Sequence, residues 1–484
     1  MSDFPRMQRQ KEATPVGMVH LGPGAFFRAF NAVYTDEAMA APGGDWGILA
    51  VSLQSARAQN ELAPQGCVYT SVSMGPEGES TRIVNAISDV MVAPQNPDTV
   101  LKAMAQADVK IVSLTITEKG YCREPSTGGL NLENPDVQQD LTTPGAPKTA
   151  PGLIVEALAR RRKAGERPFT VLSCDNLPDN GETTRRIILA FAQERDPALA
   201  KWIAEHARFP STMVDRITPA TTADDIDTLA RRTGYHDAAL VRHEAFRQWV
   251  IEDDFVDGLR PAWDKVGAQF VGSVTAHEKM KLRCLNGTHS TLAYLGYLAG
   301  YETIAETVAD PRFAALCNRL WHDEILPTVP APEGEDLQAY VAALLARYKN
   351  PAIRHLTWQI AMDGSQKLPQ RILGTIADGC EAGIEPHGLC LAVAGWMRYV
   401  GGVDEKGAAI DVRDPLAAAL KAASDSAGTP AGKVEALLGV REVFDDAVLS
   451  QTGVRQAIHD AYAALVSKGA GQAVADYVAR AAPV

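Results

Sequence analysis

The sequence has no closely spaced cysteine pair, no apolar run long enough to span a membrane and no excess of positive charge. Its seven cysteines are scattered without a CxxC pair, so we expect neither a structural metal site nor the disulfide framework of a small secreted protein. No apolar run approaches the roughly 20 residues of a membrane span. The N-terminal MSDFPRMQRQKEATP lacks the apolar core of a signal peptide. These absences predict a cytoplasmic protein with no membrane partner.

The net charge of −12 disfavours a nucleic-acid partner, because nucleic-acid phosphates would be repelled. With 46% hydrophobic and 22% charged residues, the chain has the composition of a globular protein rather than a disordered one. Its 484 residues exceed what one hydrophobic core usually supports, so we expect two domains. The partner that remains is a small molecule, and the composition specifies no oligomeric state.

Short apolar runs alternate with amphipathic stretches through the first half of the chain. The predicted strands are residues 16–21, 46–53, 109–117, 169–174 and 211–214. Near-continuous apolar strands separated by helices are typical of a parallel sheet covered on both faces. After about residue 275, Ala/Leu-rich helical patterns such as 337–348 and 453–481 dominate. We therefore predict an α/β, Rossmann-like domain with a parallel-sheet core over residues 1–275 and a mainly α-helical domain over residues 276–484.

Polar residues follow several of these strands at the point where each one ends. They are Gly22 and Gly24, Thr117 and Glu118, Asn176, and Asp215 with Arg216. Ligands of such sheets bind beyond the carboxyl ends of the strands, so we expect these groups on one edge, around one site. Local roles are the alternatives: a turn for Asn176 and a structural ion pair for Asp215. Glu118 is either a proton relay or a helix cap.

The turn Gly22-Pro23-Gly24 follows a strand and opens a predicted helix, the context in which a glycine-rich turn binds a dinucleotide. Gly22 permits a tight turn, and Gly24 lets the backbone approach a pyrophosphate at the helix N-terminus. Phe27 occupies the position of the usual third glycine, so a plain turn is the alternative. Arg28 either contacts phosphate or lies at the surface. The predicted cofactor-binding residues are Val19, His20, Leu21, Gly22, Pro23, Gly24, Ala25, Phe26, Phe27, Arg28, Thr117 and Glu118.

The predicted second strand ends without the acidic residue that would bind the adenosine ribose of a dinucleotide. The sequence there reads Leu53-Gln54-Ser55-Ala56-Arg57. Such an acidic residue favours NAD over NADP. Its absence, with Arg57 nearby, leaves the choice between the two cofactors open.

Residues 276–300 carry a lysine, an amide and an imidazole in an otherwise apolar segment, AHEKMKLRCLNGTHSTLAYLGYLAG. In an α-helix at about 100° per residue, Lys281, His289 and Asn286 lie at about 0°, 80° and 140° and share one broad face. Apolar surroundings lower the pKa of a lysine and make it a usable base. The equally weighted alternative is a half-buried helix with a snorkelling lysine and a hydrogen-bonded histidine.

Several segments together resemble the polyol-specific long-chain dehydrogenases, the mannitol dehydrogenase family. They are IVSLTITEKGY, SCDNLPDNG, TMVDRITP, FRQWVIEDDF, KLRCLNGTHS, LAYLGYLAGYE, DGSQKLPQR and VAGWMRYVGGVDE. The resemblance runs from about residue 18 to residue 482, and its VDRITP and K-x4-N-x2-H patterns are specific. Within the family, the likeness is greatest to the branch that oxidises the sugar acid D-mannonate.

The resemblance implies a zinc-independent dehydrogenase with a Rossmann-like cofactor domain and a helical substrate-binding and catalytic domain. It implies NAD as the cofactor, with NADP as the alternative. Lys281 resembles the general base that removes the hydroxyl proton, and Asn176 and Asn286 resemble the amide pair that polarises the substrate oxygen. His289 resembles a hydrogen-bond partner that orients the substrate. Without zinc, two amides and an ammonium can stabilise the alkoxide.

The expected substrate is an open-chain sugar acid, D-mannonate, which NAD⁺ oxidises to D-fructuronate; a polyol such as mannitol, arabinitol or sorbitol is the alternative. The resemblance implies that Asp215 and Lys367 line the site. A carboxylate needs a guanidinium partner, and Arg247 and Arg371 are the candidates, each with a structural role as the alternative. A non-enzymatic nucleotide-binding scaffold ranks last, because the implied catalytic residues are all present.

One segment departs from the family pattern. Relatives usually read FHRAH after the glycine turn, whereas this chain reads Phe26-Phe27-Arg28-Ala29-Phe30. Because Phe27 and Phe30 replace both histidines, we expect a more apolar pocket beside the cofactor.

Overall fold

The computed structural model describes residues 4–40, 44–75, 77–124 and 127–480. The chain divides into two units, Met1–Thr275 and Ala276–Val484. Residues 1–3 lie outside the described residues. They begin the N-terminal segment whose lack of a signal-peptide core predicts a protein that is not exported. No helix within the described ranges is both long and apolar enough to cross a membrane.

The first unit is built around a parallel sheet. The strands described in it are β1 (Val16–Leu21), β2 (Gly47–Ser52), β3 (Tyr69–Gly75), β4 (Gly78–Val84), β5 (Ile87–Val92), β6 (Ile111–Leu114), β7 (Thr170–Ser173), β8 (Thr212–Asp215), β9 (Val241–Glu244), β10 (Gln248–Glu252) and β11 (Gln269–Val271). The parallel sheet has the order β5-β2-β1-β6-β7. Along the chain these strands run third, second, first, fourth, fifth, which is the order of a dinucleotide-binding fold. The predicted Rossmann-like fold with a parallel-sheet core is confirmed.

Four of the five predicted strands lie in this sheet, and one prediction is wrong. Residues 211–214 form most of β8, which pairs antiparallel with β10 in a separate sheet of order β11-β10-β8. The fifth parallel strand is β5, at the edge of the sheet. Its run ISDVMV includes Ser88 and Asp89 and is only partly buried. An edge strand does not need an unbroken apolar run. The search for near-continuous apolar runs therefore did not identify β5.

Alternate residues of the parallel strands enter two separate cores, one on each face of the sheet. Met18 and Ile111 pack in one core, whereas Val19 and Val112 pack in the other. Successive side chains of a strand point to opposite faces, so a strand buried on both faces must be apolar throughout. The helices described in this unit are α1 (Ala25–Ala29), α2 (Asn31–Ala40), α3 (Arg57–Leu62), α4 (Pro97–Met104), α5 (Pro135–Thr142), α6 (Ala150–Ala164), α7 (Asn180–Arg195), α8 (Pro197–His206) and α9 (Ala223–Thr233).

The second unit is mainly helical, as predicted, with one large apolar core. Its helices are α10 (Thr275–Met280, which begins one residue before the unit), α11 (Thr288–Leu298), α12 (Ile304–Ala309), α13 (Pro311–Arg319), α14 (Leu337–Tyr348), α15 (Thr357–Ala361), α16 (Gly364–Leu368), α17 (Gly374–Glu381), α18 (His387–Val400), α19 (Ala417–Asp425), α20 (Pro430–Leu438), α21 (Asp446–Leu449), α22 (Val454–Lys468) and α23 (Ala470–Ala479). Three segments are π-helical: Lys281–Gly287, Leu320–Ile325 and Pro369–Leu373. The prediction for residues 337–348 coincides with α14. The predicted helical stretch 453–481 splits into α22 and α23 at Gly469, and its last residue, 481, lies outside the described residues.

Candidate active-site elements in the two units

The glycine turn follows β1 and contacts the residue after β6, where the strand order of the parallel sheet reverses. Gly22 has φ +91°, and a Cβ on it would lie 2.2 Å from the carbonyl oxygen of Thr115, so only glycine fits. A Cβ on Gly24 would meet nothing nearer than 3.9 Å. Helix α1 begins directly after Gly24 without a side-chain cap. An exposed glycine beside uncapped N–H groups suits a pyrophosphate, so the turn fits a dinucleotide.

His20 and Phe27, both predicted to bind the cofactor, pack inside the first unit. The Phe27 ring stacks on the His20 imidazole, with 3.6 Å between the centroids and 9° between the planes. Nδ1 and Nε2 of His20 lie 2.8 and 2.9 Å from the hydroxyl oxygens of Ser113 and Thr115. Burial lowers the pKa of His20 to about 3, so the ring is neutral. His20 thus ties β1 to the end of β6.

The prediction of a more apolar cofactor pocket at Phe27 and Phe30 is wrong. Phe27 is 1% exposed and Phe30 is fully buried. The Phe30 ring packs against Phe26 and Trp249, at centroid distances of 5.0 and 5.6 Å. Aromatic rings bury large areas and prefer stacked or tilted neighbours, so these two fill the core instead of lining a pocket.

Arg28 is not a surface arginine. Its Nη1 donates to the carbonyl oxygen of Ala239 at 3.0 Å and lies 3.2 Å from a carboxylate oxygen of Glu61. A phosphate contact stays a prediction, and it would have to compete with Glu61. The predicted cofactor-binding residues with buried side chains are Val19, His20, Leu21, Pro23, Phe27 and Arg28.

Thr117, Glu118 and Asn176 are exposed beside the carboxyl ends of β6 and β7. One carboxylate, that of Asp175, connects the two strand ends. Its Oδ1 accepts from the N–H of Thr117 at 2.9 Å, and its Oδ2 accepts from the N–H of Ile116 at 2.9 Å. The Tyr121 hydroxyl also donates to Oδ2, at 2.8 Å.

Asp175 and Tyr121 were not among the site residues predicted from the sequence. The available signal was an acidic residue directly after a buried strand, but its partners lie more than fifty residues earlier in the chain. No local pattern indicates that pairing.

The end of β2 offers no carboxylate to a ribose. Gln54 is exposed just beyond the strand. The side chain of Arg57 is 81% exposed and pairs with Glu61 at 2.8 Å, four residues along α3. An exposed pair of this kind contributes little to stability, so Arg57 is able to exchange partners.

Asp215 and Arg216 lie at the end of β8, in the second sheet of this unit. Asp215 is 4% exposed. Arg216 donates to three backbone carbonyl oxygens, those of Ala29, Glu244 and Phe246. Burial, followed by the nearby Arg247 charge, lowers the pKa of Arg216 to about 10. Arg216 therefore crosslinks the backbone of the unit.

Arg247 also has partners inside the first unit. Its Nη2 donates to the carboxylate of Glu37 and to the carbonyl oxygen of Val266. Its guanidinium lies 4.1 Å from the centroid of the Tyr34 ring. An ion pair combined with a cation–π contact favours the structural alternative for this arginine.

In the second unit, Lys281 begins a π-helical segment that ends at Gly287. The angles expected from a regular α-helix are therefore wrong for Lys281 and Asn286. A π-turn bonds residues five apart, so these two side chains lie closer to one line than the about 140° of an α-helix allows. Lys281 is 9% exposed, and Asn286 is half-buried. Single π-turns occur frequently at functional sites.

His289 follows one turn later and is 8% exposed. Its ring stacks on Tyr348 at 5.3 Å and meets the His355 ring edge-on at 4.5 Å between centroids. Within the described part of the chain, its buried Nε2 has no hydrogen-bond partner. Burying a ring nitrogen without a hydrogen bond costs free energy, and a bound ligand that supplies the hydrogen bond would remove that cost. The alternative of a half-buried helix with a hydrogen-bonded histidine stays open for the other ring nitrogen, Nδ1.

Several cations act on His289. Burial is the main cause that holds its pKa well below the usual range, followed by the charges of His355, Arg371, Arg347 and Lys367. Arg371 lies in the π-helical segment Pro369–Leu373, and its Nη1 donates to the Ser290 hydroxyl at 3.1 Å. Lys367, in α16, donates to carbonyl oxygens of α15 and the following turn. His355 and Arg347 were not among the site residues predicted from the sequence.

Gly287 sets the distance between two of the π-helical segments. A Cβ on it would lie 3.0 Å from the carbonyl oxygen of Arg371, closer than a side chain normally tolerates. Glycine therefore lets the backbone that carries Arg371 approach the segment that carries Lys281.

In the described ranges, no group of three or more His, Cys, Asp or Glu residues is arranged to hold a metal ion.

Comparisons with known proteins agree with this geometry. Residues 16–265 match the family described as the mannitol dehydrogenase Rossmann domain, and residues 273–466 match the mannitol dehydrogenase C-terminal domain. The chain is 47% identical to D-mannonate oxidoreductase of Escherichia coli K12 over 462 residues, 95% of each chain. It is 38% identical to a mannitol 2-dehydrogenase of Phaeosphaeria nodorum over 474 residues, 97% of this chain and 82% of the relative. A ternary complex of Pseudomonas fluorescens mannitol 2-dehydrogenase with NAD and D-mannitol superposes with a TM-score of 0.86 at 38% identity, covering 97% of this chain and 95% of the other.

Proposed function

The chain belongs to the mannitol dehydrogenase family, and from that premise we propose that it oxidises the sugar acid D-mannonate to D-fructuronate, with NAD⁺ as the hydride acceptor. It is an oxidoreductase that acts on a CH–OH group. In this reaction the carbinol carbon loses a hydride and its hydroxyl loses a proton. The reverse reaction returns both.

The first unit carries the features that would hold NAD. The Gly22-Pro23-Gly24 turn and the uncapped start of α1 would take the pyrophosphate. NAD held there would supply the hydride acceptor. Because Gln54 and Arg57 follow β2 without a carboxylate, NADP is the alternative cofactor.

Lys281 takes the hydroxyl proton as the hydride leaves. Its buried place in a π-helical segment supports this role, since single π-turns are frequent at functional sites. The amides of Asn176 and Asn286 donate to the oxygen as it becomes negative. His289, which burial keeps neutral, offers its unpartnered Nε2 to a substrate hydroxyl.

One observation carries the choice of a sugar acid: Arg371, half-buried in a π-helical segment, donates to the hydroxyl of Ser290, the neighbour of His289. A guanidinium at this place would bind a substrate carboxylate through paired hydrogen bonds, which a neutral polyol does not offer. Arg371 is the proposed carboxylate partner, because it bonds Ser290, the neighbour of His289. The likeness to a D-mannonate oxidoreductase supports the same choice.

A neutral polyol is the second candidate. The likeness to mannitol 2-dehydrogenases over nearly the whole chain supports it. The two candidates differ in one chemical group, the carboxylate, so one charge-removing variant separates them.

Steady-state kinetics with D-mannonate and D-mannitol, each with NAD⁺ and with NADP⁺, test the proposal. We expect kcat/KM for D-mannonate to exceed that for D-mannitol by about a hundredfold or more, because only D-mannonate offers a carboxylate to the Arg371 guanidinium. Arg371→Met should remove most of this preference. The matched control is Arg354→Met, since the Arg354 side chain is 71% exposed and pairs with Glu302 at the surface of the same unit. Equal or greater efficiency with D-mannitol would overturn the sugar-acid assignment.

A further inference from the structure

The Asp175 carboxylate connects the ends of β6 and β7. It accepts hydrogen bonds from the N–H groups of Ile116 and Thr117 and from the Tyr121 hydroxyl. We propose that Asp175 and Tyr121 are positioning residues, which hold Thr117 at the cofactor and Asn176 at the substrate oxygen. The inference rests on the roles proposed above for Thr117 and Asn176. It adds two residues that touch neither ligand.

Thr117 has a conformation that needs to be held. Its φ of +64° with ψ of 166° lies in a region that β-branched residues rarely adopt. Such strain persists where surrounding groups impose it, and it is concentrated at functional sites. Asp175 binds the N–H groups of both Ile116 and Thr117, so its carboxylate fixes the peptide on the N-terminal side of the strained residue.

The same residue fixes the turn that carries Asn176. While the Asp175 side chain binds the end of β6, its carbonyl oxygen accepts from the Asn180 amide at 3.0 Å. The Asn180 amide also donates to the carbonyl oxygen of Thr212, at 2.8 Å. The turn is therefore anchored on both sides, and the place of Asn176 depends on the orientation of Asp175.

Tyr121 completes the arrangement. It is 1% exposed, and its hydroxyl oxygen lies 2.6 Å from the Ser173 hydroxyl and 2.8 Å from Oδ2 of Asp175. Burial raises the pKa of the Asp175 carboxyl, while the hydrogen bonds from Ile116, Tyr121 and Thr117 oppose that shift. Loss of the Tyr121 hydroxyl would leave the carboxylate one donor short in a place that water reaches poorly.

The second unit supplies a matched control for this carboxylate. Glu324 accepts from the N–H groups of Gly388 and Leu389 at 2.7 and 2.8 Å, and from the Tyr477 hydroxyl at 2.7 Å. It is 3% exposed. Two backbone N–H groups and one tyrosine hydroxyl thus surround this buried carboxylate as they do Asp175, and Glu324 has no role in the proposed reaction.

The experiment compares Asp175→Asn and Tyr121→Phe with Glu324→Gln and Tyr477→Phe in the full chain. Three quantities are measured: the melting temperature, the dissociation constant for NADH by fluorescence, and kcat with the better of the two substrates. Amide hydrogen exchange at residues 116 and 117 is measured without cofactor. We expect the first pair to lower kcat and weaken NADH binding by about tenfold or more, because small misplacements of reacting groups are costly. We expect the control pair to change both by less than about twofold for a similar loss of melting temperature.

Hydrogen exchange separates this inference from the proposed function. If Asp175 holds the strained segment, exchange at residues 116 and 117 rises by about tenfold or more in Asp175→Asn, whether or not the enzyme uses mannonate. Unchanged exchange would overturn the positioning role even if the enzyme is a mannonate dehydrogenase. Equal effects of all four variants on kcat and NADH binding would reduce Asp175 to a general stabilising group. Accelerated exchange in a protein that does not bind NADH would retain the structural role of Asp175 and overturn the cofactor assignment instead.

Discussion

The two units present their functional groups in different ways. In the first unit, the groups at the sheet edge are set by backbone: a glycine with positive φ, an uncapped helix start and a strained threonine held by one carboxylate. In the second unit, they are side chains on irregular helices: Lys281 and Asn286 in one π-helical segment and Arg371 in another.

The difference has a chemical meaning. Backbone N–H groups and glycines suit a diphosphate, which every dinucleotide shares. Side chains on helices can change charge and shape without moving the fold, which suits a group that distinguishes one substrate from another. We therefore expect cofactor binding to depend on the first unit, and turnover and substrate preference to depend mainly on the second.

The largest expected effect tests the second unit. Lys281→Ala should lower the oxidation rate by about 10²–10⁴-fold, because the base and its charge are both lost. Binding of NADH should stay nearly unchanged. The control is Lys279→Ala. Lys279 lies two residues before Lys281 and pairs with Asp378 of α17, so this variant removes a nearby lysine that has no proposed catalytic role. Retention of a tenth or more of wild-type activity would rule out the role of Lys281 as the base.

The two proposed amide donors allow a direct comparison of the units, because Asn176 lies in the first unit and Asn286 in the second. Asn176→Ala and Asn286→Ala should each lower kcat by about 10²–10³-fold, because each removes one preorganised donor to the developing alkoxide. The exposed Asn60 and Gln366 supply Ala controls in the first and second unit, respectively. A rise in KM with unchanged kcat would mean that the amides bind ground state and transition state equally, and the assignment would fail.

The two glycines of the turn should separate folding from binding. Gly22→Ala places a Cβ against the Thr115 carbonyl, so we expect it to lower the free energy of unfolding by about 2–4 kcal/mol. Gly24→Ala meets no close neighbour, so the fold should keep its melting temperature while the Kd for NADH rises by about tenfold. Calorimetry and fluorescence titration measure the two effects. Unchanged NADH binding by Gly24→Ala would separate this turn from the pyrophosphate.

The smallest effect concerns pH. Burial lowers the pKa of His20 and His243 to about 3 in the first unit and that of His355 to about 4 in the second. The ordinary value is about 6.5, so the unfolded chain binds more protons below that pH and stability falls as pH decreases. Each such histidine contributes about 1.4 kcal/mol per pH unit between about pH 6 and its folded pKa.

Melting temperatures from pH 7 to pH 5 measure this slope. His355→Gln should make the slope shallower by the contribution of one proton, because the unfolded variant binds one proton fewer at this position. His387→Gln, which changes an exposed histidine, should leave the slope as in the wild type. Identical slopes in all three proteins would contradict the expected contribution of His355.

Local signals predicted those parts of the fold that local physics determines. β1 and the glycine turn were predicted at their observed places, because an apolar run followed by Gly22 encodes both a buried strand and a backbone that only glycine adopts. The helix at residues 337–348 was predicted for the same reason. The resemblance to a family added roles for Lys281, Asn286 and His289 that spacing alone left open.

Tertiary contacts decided the rest. The sequence by itself determined a Rossmann-like domain, a helical domain and a glycine turn after β1, for which pyrophosphate binding stays a prediction. Only the folded chain decided that β8 leaves the parallel sheet, that Phe27 and Phe30 join the core, and that Arg247 pairs with Glu37. It also decided that Asp175 meets Tyr121, fifty-four residues away along the chain. These choices depend on partners distant in sequence, and packing and hydrogen bonding select such partners only when the whole unit closes around them.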